Sequence, residues 1–172
     1  MNTHLTVAEL DEHLSAFRNL RCWRFGKYLG SMLTLDFGSQ IGVKTHDSTV
    51  VAEGELLIGI RNVFWSAADG DHKLTTAEDV NDEVFETRLV PLVVGASLAS
   101  ISSTQDGRQI IFSFDNGFML TVDSTNMWHS GGDLFEIKVP DGRIIVLDEG
   151  GTIEVLDEVE QLRAELWHSR FI

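Results

Sequence analysis

The string with the most metal-like chemistry in this chain is Asp69-Gly70-Asp71-His72. Two hard carboxylates and an imidazole so close together can ligate a divalent cation, although the later glutamate that completes an EF-hand loop is missing. The simpler reading is a polar Asp-Gly turn after the apolar Val63-Phe64-Trp65, and it is preferred. Cys22 lies in Arg21-Cys22-Trp23-Arg24, where flanking cations favour the reactive thiolate. A lone cysteine in a strand-like stretch is more often a small buried hydrophobe, and we read it so. Trp128-His129 and Trp167-His168 set an aromatic beside an imidazole, as a stacking pocket would; core packing of each tryptophan explains them more simply. His13 and His46 stand apart from any partner at helical spacing. The chain lacks a Gly-x-Ser-x-Gly elbow, a phosphate-cradling glycine loop, His-Glu-x-x-His and Cys-x-x-Cys. The residues therefore predict no catalysis and no cofactor, with a metal at Asp69, Asp71 and His72 as the alternative.

Composition narrows the partners. The 172 residues include 27 acids and 13 bases, for a formal charge of −14 and a pI near 4.6. Neutralising phosphates or docking on anionic lipid needs a basic face, so neither nucleic acid nor a membrane surface is expected. No apolar run reaches the ~20 residues that span a bilayer, and Met1 to Leu20 lacks the layout of a secretion signal. A single cysteine excludes an internal disulfide and suits the reducing cytoplasm. The acids are uneven: residues 45–90 hold ten against three bases, and residues 133–172 hold ten against four. Arg18, Arg21, Arg24 and Lys27 are close together and are expected to pair with this acidic surface.

The elements that must position these residues are mostly strands. Thr6 and Glu9 have capping-box spacing, and Val7, Leu10, Leu14 and Phe17 form one apolar stripe, so residues 1–20 read as an N-terminal helix. Val155, Val159, Leu162 and Leu166 repeat that spacing, placing a C-terminal helix over 156–168. The clearest hairpin is Ile110-Ile111-Phe112-Ser113-Phe114 joined through Asp115-Asn116-Gly117 to Phe118-Met119-Leu120-Thr121-Val122. Asn-Gly suggests a type I′ turn, and Ile110, Phe112 and Phe114 share one face, as do Phe118, Leu120 and Val122. A strand near 96–102 precedes it, and Leu134–Val139 pairs with Arg143–Leu147 around Pro140-Asp141-Gly142. Gly30-Ser31-Met32-Leu33-Thr34-Leu35-Asp36 echoes Gly117-Phe118-Met119-Leu120-Thr121-Val122-Asp123. Gly54-Glu55-Leu56-Leu57 likewise echoes Gly132-Asp133-Leu134-Phe135, which raises a duplicated β-meander with an insertion near 38–53. Thr76, Asp79 and Asn81 cap a helical connector over 76–90, which Pro91 should stop. The expectation is one α+β domain over 1–172. A first β unit spans 21–66, a second 95–155, and helices stand at both ends and between.

Several of these strings together look familiar: Gly30 to Gly38, Gly54-Glu55-Leu56-Leu57 leading to Trp65, Gly95-Ala96-Ser97-Leu98, and Phe112 to Leu120. Over about residues 20–155 the chain resembles a group of uncharacterised bacterial proteins that are small and β-rich. Some similar acidic proteins serve as immunity proteins beside secreted toxins. The resemblance implies no active-site residue. Together with the acidity it implies a non-catalytic protein-binding module that neutralises a basic protein, with Asp157, Glu158, Glu160 and Glu165 rimming the contact and Trp167 anchoring it. A small-ligand- or metal-binding enzyme is the alternative. Unclosed sheet edges also admit a homodimer.

Overall fold

The computed structural model describes residues 3–28, 32–44, 47–61, 63–105, 108–127, 135–147 and 152–156. In chain order these form β1 (Thr3–Leu5), α1 (Val7–Leu14) and a 3₁₀ turn (Ser15–Phe17). Then come β2 (Cys22–Lys27), β3 (Leu33–Lys44), β4 (Val50–Ile60), β5 (Val63–Asp69) and β6 (His72–Thr76). A helical stretch follows: α2 (Asp82–Val84), a π turn (Phe85–Leu89) and α3 (Val90–Val93). The remaining strands are β7 (Leu98–Ser103), β8 (Gln109–Phe114), β9 (Phe118–Met127), β10 (Phe135–Lys138), β11 (Ile144–Leu147) and β12 (Ile153–Leu156).

The strands form two antiparallel sheets, ordered β1-β12-β11-β10-β4-β3-β2 and β6-β5-β9-β8-β7. The fold is thus α+β and mostly β, but the sheets are not the two halves of the chain. Strands β10–β12 return to pair beside β4, so the seven-stranded sheet draws on both halves. The echoing strands β3 and β9 lie in different sheets, an arrangement that lends the duplication no support. The inner faces follow period-two alternation. Leu33, Leu35, Phe37, Leu56, Ile58 and Ile60 on one sheet share a single buried cluster with Trp65, Phe112, Phe114, Phe118, Leu120 and Val122 on the other. Phe112 meets Phe135 edge-on at 5.7 Å across the sheets, and Phe37 lies 6.3 Å from Phe114. Each such pair adds about 0.5–1.5 kcal/mol beyond the area it buries.

Local signals came out well where the hydrogen bonds are local. Thr6 Oγ1 accepts from the Glu9 amide at 3.2 Å while Glu9 Oε2 accepts from the Thr6 amide at 2.7 Å, the reciprocal cap expected. Leu10 and Leu14 are buried, and Val7 and Phe17 pack on the core behind them. Asp11 ties this helix to the second sheet, accepting from the Ile101 amide at 2.5 Å and from Arg18 at 2.6 Å. The helix is shorter than the predicted 1–20, because Thr3–Leu5 pairs antiparallel with β12.

Three other expectations need correction. The β8–β9 turn is not type I′: among Asp115, Asn116 and Gly117 only the glycine has positive φ, +90°. Phe112 pairs with Leu120 and Ser113 with Met119, so the connection is a three-residue loop with glycine in the left-handed position. Asn116 instead donates through Nδ2 to the Leu92 carbonyl at 2.6 Å. Pro91 does not stop the connector helix, which Asn81 caps through the Val84 amide at 2.8 Å. The wide π turn from Phe85 to Leu89 resets the ladder, so Pro91 falls in the first turn of α3, where no amide is needed. The stretch expected to be inserted lengthens the β3–β4 hairpin, with Gln40–Lys44 paired to Val50–Gly54. At the C-terminus, Ile153–Leu156 is strand, so Val155 belongs to β12 and begins no helical stripe; the rest of the predicted helix lies outside the described residues.

Candidate functional site

The densest polar arrangement among the described residues lies on the outer face of the seven-stranded sheet, where alternation turns Thr34 and Asp36 away from the inner core. Asp36 is fully buried. Its Oδ2 accepts from Arg24 Nε at 2.8 Å and its Oδ1 from the Gly54 amide at 2.7 Å. The reason is a bulge. Pairing of β3 with β4 slips between Phe37 and Gln40, with Gly38 at φ +76°, and the carboxylate takes up the Gly54 amide there. A Cβ at Gly54 would come within 2.6 Å of the Phe37 backbone nitrogen, so only glycine fits without moving the chain. Arg24 also stacks 4.9 Å from the centre of the Trp23 ring, and the bond from Asp36 raises its pKa further, keeping the guanidinium charged.

One register row away, Thr34, Gly59 and Glu136 stand side by side on β3, β4 and β10. Glu136 is only 3% exposed, and its Oε2 accepts from Arg61 Nη2 at 3.1 Å. Glu136 Oε1, Thr34 Oγ1 and Trp23 Nε1 are buried without a hydrogen-bond partner. A carbon added at Gly59 would meet Arg61 Nε at 3.9 Å, an ordinary contact, so the arginine lies beside this position without crowding it. The two rows hold one ion pair each, Arg24–Asp36 and Arg61–Glu136, and their geometry is that of a polar clamp across strands. Charge pairing across β2–β3 was missed at the sequence level because nothing in an alternating strand marks which outward carboxylate will be buried. The one available signal was the spacing of Arg24 and Asp36 about a hairpin.

The predicted site residues are dispersed. Asp69 ends β5, Gly70 and Asp71 make the turn, and His72 opens β6, directly opposite Asp69 in register. Gly70 has φ +55°, the left-handed value that a tight hairpin turn asks of glycine. All four are exposed, and among the described residues no three His, Cys, Asp or Glu side chains converge on a point that a metal ion would fill. Asp157, Glu158, Glu160, Glu165 and Trp167 lie outside the described residues, as do His46, Trp128, His129 and His168. His13 is exposed on α1. Of the cationic group, Arg18 pairs with Asp11, Arg24 with Asp36, and Lys27 with Asp82 at 2.7 Å, which is the internal pairing expected. Arg21 donates to the Gly95 carbonyl instead.

Cys22 is buried to 1% exposure, and its thiol donates to the Arg24 carbonyl at 3.2 Å. Burial pushes its pKa from 9.0 up to about 12, with the nearby Asp36 charge adding to the rise and the backbone hydrogen bond to Arg24 opposing it. The native thiol should therefore resist a chromogenic disulfide reagent at pH 8 and react at once in denaturant; rapid native reaction would refute the burial. Since the unfolded thiol ionises near 9.0 and the folded one near about 12, stability from this group is intact below pH 9 and is lost as pH rises through that window.

The other feature with functional weight is a run of exposed acids. Asp69, Asp71, Glu78, Asp79, Asp82, Glu83 and Glu86 are all exposed on the β5–β6 turn, the following loop and the helical stretch. Lys73 and Arg88 are the cations among them. No family model, curated protein or solved structure matches the chain.

Proposed function

We propose that the protein is a non-catalytic binding module that neutralises a cationic protein partner, in the manner of an immunity protein. The observation that supports this reading is the run of seven exposed acids between Asp69 and Glu86. Among the described residues, Lys27 pairs with Asp82 of this run. A one-signed surface of this kind raises the encounter rate with an oppositely charged protein, by tenfold or more at low salt, and makes that rate fall as salt screens it. Asp157, Glu158, Glu160, Glu165 and Trp167 would extend the contact. The polar rows around Asp36 and Glu136 support the sheet rather than a reaction: their carboxylates are already paired with arginines.

The test is association kinetics with the products of the genes flanking its own, at low and at high salt. The expected result is binding to a basic product whose on-rate drops at least tenfold with salt. A similar drop should follow in E78Q/E83Q/E86Q, which leaves the Lys27–Asp82 pair intact. A binding rate indifferent to salt and to these substitutions, or no binding to any basic product, overturns the reading.

A further inference from the structure

Among the described residues, the outer half of the β3–β4 hairpin is an arm that no other strand flanks. Beyond the bulge, Gln40–Lys44 pairs with Val50–Gly54: β2 stops opposite Phe37 on one side, and β10 stops opposite Leu57 on the other. The arm is exposed, Ile41 at 45% and Val50 at 68%.

Other edges in the fold are blunted in ways this one is not. The outer edge of β2 is taken by the chain at Gly95–Ser97, with the Cys22 amide donating to Ala96 O at 2.8 Å and the Gly95 amide to Cys22 O at 2.7 Å. The β7 edge is covered by α1, whose Asp11 accepts the Ile101 amide. The β6 edge carries exposed His72 and Lys73, and β1 is only three residues long. Charges, coverings and short strands are the usual devices against edge-to-edge pairing. Along Ser39–Lys44 the sole ionisable group is Lys44, at the far end.

We propose that the β3 edge of this arm is a dimer interface, pairing antiparallel with the same edge of a second copy. The edge is self-complementary. A two-fold axis through Gly42 sets Ile41 against Val43 of the other copy and Gln40 against Lys44, with no like charges opposed; such reciprocal pairing, with each contact made twice, is what a two-fold dimer requires. Charge selects the same place. Two chains of −14 repel across their acidic surfaces, and Ser39–Lys44 offers them an edge that carries no acid. A cationic partner, by contrast, finds little on Ser39–Lys44 to attract it.

Light scattering of the full chain across a concentration series is the experiment, with two arm variants. Wild type should move from 19.2 kDa toward twice that mass as concentration rises. I41K places a charge opposite Val43 of the other copy and should hold the monomer mass over the whole series, with an unchanged circular dichroism spectrum. V50T alters the arm's other strand and should dimerise as wild type does. A wild type that stays at 19.2 kDa throughout, an I41K chain that still dimerises, or a V50T chain that does not, would each overturn the proposal. Because the acids of Asp69–Glu86 are untouched in both variants, capture of a basic partner is read independently.

Discussion

Replacing Asp36 with alanine should lower the unfolding free energy by about 3 kcal/mol, far more than an outward-facing strand residue ordinarily costs. The change strands two groups at once. The Gly54 amide, which bonds to Asp36 Oδ1 at 2.7 Å, loses its acceptor at a buried site. An unsatisfied buried donor costs about 1–3 kcal/mol. Arg24 loses its carboxylate too, but its side chain is 36% exposed, so water recovers part of that loss and the full cost of a broken buried pair does not apply. D36N keeps an acceptor for the Gly54 amide and should fall between D36A and wild type. Chemical denaturation followed by circular dichroism gives the order. Equal stability of D36A and wild type would show that the carboxylate does not hold the bulge.

Trp65→Ala should cost about 3–5 kcal/mol, the usual range when a large aromatic is removed from a packed core. Trp65 leads the fully buried side chains in volume and is 1% exposed. It sits opposite Val122 on β5, just after the chain has crossed from the seven-stranded sheet to the five-stranded one. Its carbonyl also receives the Ala77 amide at 2.8 Å, which seats the residues leading from β6 into the helical connector. Alanine leaves a cavity between two sheets whose backbones are pinned by their own ladders, so little collapse can refill it. Against a total stability of about 5–15 kcal/mol for a domain of this size, the variant should unfold at markedly lower denaturant, with W65F intermediate. A loss below about 1 kcal/mol would mean that the two inner faces do not interlock at this point.

These two positions show how differently the parts of the fold could be read. Trp65 was marked only as the end of an apolar run, whereas the hairpin of β8 and β9 was legible because alternation along a strand reports burial directly: Ile110, Phe112, Phe114, Phe118, Leu120 and Val122 are all at 4% exposure or less. Asp36 was not, because a carboxylate on the outward face of a strand is an ordinary solvated residue until a bulge and the arginine opposite it on the neighbouring strand enclose it. The connector was half legible. Asn81 announced its cap, but Pro91 misled, since the π turn that accommodates it depends on Phe85 and Leu89 reaching the core, where Phe85 meets Phe25 at 4.8 Å.

The acidic run between Asp69 and Glu86 could be counted from the residues alone; that all seven carboxylates face solvent is a property of the folded chain. Cys22 likewise had two readings, and burial decided between them.

What the residues determined unaided is whatever closes over a few positions: the Thr6–Glu9 cap, the strand alternation, the Asp-Gly and Pro-Asp-Gly turns, the charge balance. Hydrogen bonds and side-chain contacts there form between neighbours, so their signals are local. Which strands share a sheet, why Thr3–Leu5 joins β12 as an edge strand, and why the β3–β4 arm stands free are decided by pairings across most of the chain. Strand pairing is generic in its backbone bonds, and only the shared core, by ranking the competing arrangements, selects among them.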